Sequence, residues 1–132
     1  MPAVTDRDPV NELYDRGCDL VEAAAAIRRA AGTDDVARAA PAVLGCIETA
    51  LEELAAAAGA LGSVTHRALC EEATPRGRDS ADRRAFLHSG FSRLESALRE
   101  AREVAAGARA RAAFALAHAG IRRRATSPPA VE

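Results

Sequence analysis

The sequence predicts an all-α protein, an antiparallel up-down bundle of three long helices. Alanine, the best helix former, makes up about a quarter of the 132 residues. Apolar and small residues recur at alternating three- and four-residue steps over three long stretches. Short clusters rich in Gly, Pro, Asp and Thr separate those stretches, and such clusters stop and start helices.

The first helix is predicted from Pro9. Asp8 is a natural cap, and proline fits the first helical position because its missing N–H would have no partner there. Its seam runs Val10, Leu13, Tyr14, Gly17, Leu20, Val21, Ala24 and Ile27, with Gly32 as the expected stop. The residue before a proline avoids the helical region, so Asp34–Ala40, ahead of Pro41, reads as a separate short turn. A second helix follows from about Pro41 to Ala73. Its coiled-coil-like heptad seam is Leu44, Ile47, Leu51, Leu54, Ala58, Leu61, Thr65, Ala68 and Glu72, and Gly59 and Gly62 are expected to loosen it. "TPRGRDS", Thr74 to Ser80, is the clearest break, with Asp79 and Ser80 as candidate caps. The third helix carries Leu87, Phe91, Leu94, Leu98, Ala101, Ala105, Ala108, Ala112 and Ala115. A division near Gly107, giving four helices, is the alternative. The expected organisation is a flexible N-terminus over 1–8, one bundle domain over 9–122 and a disordered, proline-containing tail over 123–132.

Composition narrows the function classes. The 18 basic and 19 acidic residues leave a net charge of −1, and every basic residue is arginine. Such a balance offers no field to steer nucleic acid. No helix-turn-helix spacing appears either, so no nucleic-acid partner is expected. No apolar run approaches the ~20 residues that span a bilayer. The opening "MPAVTDRDP" does not read as a signal peptide. With Cys18, Cys46 and Cys70 odd in number and far apart, a cytoplasmic protein with reduced thiols is expected.

Leu, Ile, Val and Phe together make up only about a fifth of the chain, so a monomer core is thin. Folding the second and third helices about Arg76 sets 63 against 89 and 41 against 111. Folding the first helix about Val36 lays Pro9 near 63, so it covers only part of that hairpin. The end from about Ser63 to Ser89 then projects with Val64, Leu69, Phe86 and Leu87 poorly covered. Exposed apolar patches mark partner sites. These four residues are therefore the candidate interface, for a homodimer or for another protein.

The same end carries "THRALCEEA". Helical spacing stacks His66 and Cys70 on one face, and the hairpin brings His88 within a turn of them. With Asp82 or Glu71 they would suit zinc. No second paired motif, C-x-x-C or E-x-x-H accompanies them, and a helix surface with Cys70 packed as a small apolar group is the plainer reading. His118 is expected near a helix C-terminus, where the dipole favours it; no histidine sits in a convincing phosphotransfer setting. "IRRRATS" reads first as the basic end of a helix and second as a phosphorylation site or phosphate anchor. Glu48, Glu52 and Glu53 lie among alanines at solvated positions or flank the seam. No catalytic set, nucleotide loop or cofactor fingerprint is visible, and no cofactor is expected. The sequence thus favours a non-enzymatic interaction or scaffold protein. The alternative is a small metal- or ligand-binding bundle built on His66, Cys70 and His88.

Overall fold

The computed structural model describes residues 8–32, 34–71 and 78–126. The described residues are helical apart from the Asp8 cap and a turn at 31–32, and the all-α class is as the sequence predicts. Helix α1 spans Pro9–Ala30, α2 spans Ala40–Glu71 and α3 spans Arg78–Thr126. A short 3-10 helix, Asp34–Ala39, precedes α2. It takes the place of the turn expected over 34–40, but Ala40, the residue before Pro41, already belongs to α2, so the proline does not hold its neighbour out of the helix. The chain divides into two compact units, Met1–Arg38 and Ala39–Glu132.

In the first unit, Asp8 caps α1 as expected: the Val10 amide donates to Asp8 Oδ1 at 3.1 Å, with Pro9 in the first turn. The other end departs from expectation. The Ala31 amide donates to the Ile27 carbonyl at 2.9 Å and closes the helix, and no described glycine has a positive φ. Gly32 is therefore not a left-handed cap. No residue of α1 is buried.

In the second unit, α2 and α3 pack as an antiparallel hairpin. Gly45 lies against Arg109, Gly59 against Glu95, His66 beside His88 and Cys70 beside Arg84. All these pairs are centred on 77, one residue beyond the predicted pivot at Arg76. The turn itself, 72–77, lies outside the described residues, as does Glu72 of the α2 seam. Helix α3 starts at Arg78, ahead of both expected caps, and runs unbroken through Gly107, so the four-helix alternative does not hold. It continues to Thr126, past the expected boundary at 122, while 127–132 lie outside the described residues, as do 1–7.

The glycines of α2 do not loosen it. A Cβ on Gly62 would meet Phe91 Cβ at 2.9 Å and Cγ at 3.1 Å. Phe91 Cβ is fixed to its backbone, so one helix would have to move. A Cβ on Gly59 would meet the Glu95 carboxylate at 3.2 Å, where the neighbour can swing aside. Gly62 is thus a contact glycine that lets two helices approach closely. A Cβ on Gly107 meets nothing within 4 Å.

Among the described residues only Ala55 and Ala58 are buried hydrophobics. Ala55 and Gly62 mark the centre of the face that α2 turns to α3. At ~100° per residue the two flanks of that line differ in character. One flank is polar: Glu48 Oε2 lies 2.9 Å from Arg109 Nε, and Glu52 Oε2 lies 3.5 Å from Arg102 Nε. The other is apolar and carries Ile47, Leu54 and Leu61 of α2 with Leu94, Ala101 and Val104 of α3. Equal rotations on antiparallel helices fall on the same side, so these six share one face of the hairpin. None of them is buried.

Gly62→Ala should destabilise the protein by about 1–3 kcal/mol through overpacking against Phe91. Gly107→Ala should stabilise it by about 1 kcal/mol, the ordinary gain for alanine in an exposed helix. Urea unfolding followed by circular dichroism checks the pair; equal gains for both would contradict the close approach at Gly62.

Candidate functional site

The hairpin end beyond residue 61 holds both sequence-predicted groups, and the structure sets them on different faces. Phe86 is 82% exposed and Val64 57%, while Leu69 and Leu87 are half-buried. Leu69, Phe86 and Leu87 lie on the apolar face. Val64 lies roughly half a turn round α2 from the side that meets α3, so the four residues do not form one patch. A shallow groove runs along α3 beside them, lined by Phe86, Leu87, Phe91 and Leu94 around Gly90, with Ser89 and Arg93 as its polar members. A second follows the same side of α3 along Ala97, Ala101, Val104 and Ala108. That side is apolar because its residues sit at the three- and four-residue steps adjacent to those that touch α2.

His66, Cys70 and His88 converge on the polar flank, as the hairpin geometry predicts. The His66 and His88 ring centroids are 6.3 Å apart, and Cys70 Sγ lies 3.7 Å from His66 Nε2. Arg84 adds a residue the sequence reading omits: its Nη1 donates toward Cys70 Sγ at 3.6 Å. A guanidinium against the sulfur is a poor neighbour for a metal cation, since it brings positive charge to the ligand. Asp82 and Glu71 lie on the outer sides of their helices. Among the described residues no group of three or more His, Cys, Asp or Glu is placed to hold a metal ion.

Other expectations fall out differently. His118 is two turns short of the end of α3, beyond the reach of the terminal dipole. Instead its ring stacks on Phe114, with centroids 5.7 Å apart and planes at 15°. Glu48 and Glu52 flank the seam, and each reaches an arginine across the hairpin. Spacing alone signals half of this: with the pivot placed at 77, Glu52 faces Arg102. The helical backbone of "IRRRAT" belongs to α3, and Ser127 lies outside the described residues. No described helix is long and apolar enough to cross a membrane. Comparison with protein-family models, curated proteins and solved structures finds no match to the chain.

Purified protein should carry zinc, iron and copper only in trace amounts by elemental analysis, unchanged by His88→Ala. Stoichiometric metal that is lost in His88→Ala would establish the histidine–thiol group as a metal centre.

Proposed function

We propose that this chain is a non-enzymatic interaction or scaffold protein that works through self-association or the binding of a partner helix, in the cytoplasm. The observation that carries this reading is the inversion of the usual burial order in the hairpin. Among the described residues its buried hydrophobics are alanines, while Phe86, Val104 and Leu94 are 82%, 68% and 49% exposed. A monomer gains little from such an arrangement, whereas a second helical surface would bury large side chains at ~1.5–3 kcal/mol each. A second copy is the simplest source of that surface, since a symmetric interface covers the same patch on both chains. Cys18, Cys46 and Cys70 are all free and exposed, which suits a reducing compartment.

The rival reading is a small metal- or ligand-binding bundle built on His66, Cys70 and His88, and it draws on their convergence. The two readings use different flanks of the hairpin, so substitutions on one leave the other intact.

Replacing Phe86 and Leu87 together by serine and glutamine should give a less stable monomer from a wild-type dimer, with the double change removing about 3–6 kcal/mol of burial at most per chain. Light scattering checks the mass of both proteins. A wild type already monomeric at tens of micromolar would overturn self-association and leave a different protein as the partner.

A further inference from the structure

The apolar flank of the hairpin has features that specify more than a general stickiness. Helix α2, with 32 residues, is ~48 Å long. Two helices side by side are ~20 Å wide, so one face of the hairpin offers a footprint on the order of 950 Å². That passes the ~800 Å² per partner of a stable interface.

Within this face, α3 places a projection and a recess one turn apart. Phe86 stands out with 82% of its surface exposed. Four residues on, Gly90 lies in the groove bordered by Leu87, Phe91 and Leu94, and a Cβ built on it meets nothing within 4 Å. A knob and a hole separated by one helical turn on the same stripe are self-complementary. Two copies of α3 crossing antiparallel near residue 88 bring each Phe86 over the Gly90 of the other. Both recesses are then filled by one symmetry operation. No such match is required of an unrelated partner.

We infer that the chain forms a two-fold symmetric dimer in which Phe86 of each copy seats in the Gly90 groove of the other. This rests on the self-association reading and names its contact. The recess is mostly apolar, with Ser89 and Arg93 at its edge and backbone at its floor, so a large side chain at position 90 blocks it without touching the hairpin's own packing.

The test compares wild type, Gly90→Trp and Gly107→Trp by analytical ultracentrifugation over a range of concentrations, with circular dichroism on each. Gly107 is also open at its Cβ but lies on the side of α3 turned away from α2, outside the apolar flank, so it controls for tryptophan in the helix. The expected result is a dimer for wild type and Gly107→Trp, and a helical monomer for Gly90→Trp. Phe86→Ala should also dissociate, which keeps the test decisive should Gly90→Trp fail to fold. A dimer that survives both Gly90→Trp and Phe86→Ala would overturn this contact while leaving self-association standing. A monomeric wild type would overturn self-association itself.

Discussion

Helix α2 meets α3 through its smallest side chains. Ala55 and Ala58 are 0% and 4% exposed, and at Gly62 even a methyl group would collide with Phe91. The other features of the hairpin depend on that close approach. At Gly62 that close approach makes room for Phe91 of α3, while Ile47, Leu54, Leu61, Leu94 and Val104 lie to one flank of the contact line. The longer polar side chains bridge the other, with Glu48 reaching Arg109 and Glu52 reaching Arg102. Arg102 Nε is buried against Glu52 without hydrogen-bond alignment, so that pair contributes little beyond its charge.

Such packing has an energetic consequence. Two buried alanines contribute about 1–2 kcal/mol of transfer free energy between them, less than one buried phenylalanine. Ion pairs at the edge add at most about 1 kcal/mol each in water. Intrinsic helix propensity helps, since alanine and arginine rank high, but long isolated helices still owe most of their stability to an amphipathic face packed on something. In this hairpin that face is present and unburied. On the self-association reading proposed above, a second surface over Leu61, Leu94, Val104 and their neighbours would supply the stabilisation that the pair of helices lacks.

The sequence made much of this legible and concealed the rest for identifiable reasons. Helix existence, the Asp8–Pro9 start of α1 and the hairpin itself follow from local signals with one dominant cause each. The meeting of His66, Cys70 and His88 followed from register, which an error of one residue in the pivot did not spoil. The glycines misled, because a glycine inside a helix has the same local cost whether it weakens the helix or admits a neighbour; only Phe91, distant in sequence, decides between these at Gly62. Val64 was grouped with Leu69, Phe86 and Leu87 by proximity along the hairpin, although its angle on α2 turns it elsewhere. The full length of α3 was hidden by Gly107 and by the basic run from Arg122, neither of which interrupts it.

Dependence of the folded state on a second surface is the central claim, and thermal unfolding as a function of protein concentration tests it most directly. Folding coupled to dimerisation makes the midpoint rise with concentration, because mass action favours the associated native state. Over a range of about a hundredfold, the midpoint of this chain should climb steadily, with the dimer mass recovered at the upper end. A midpoint that stays constant across that range, together with a monomer mass throughout, would contradict it.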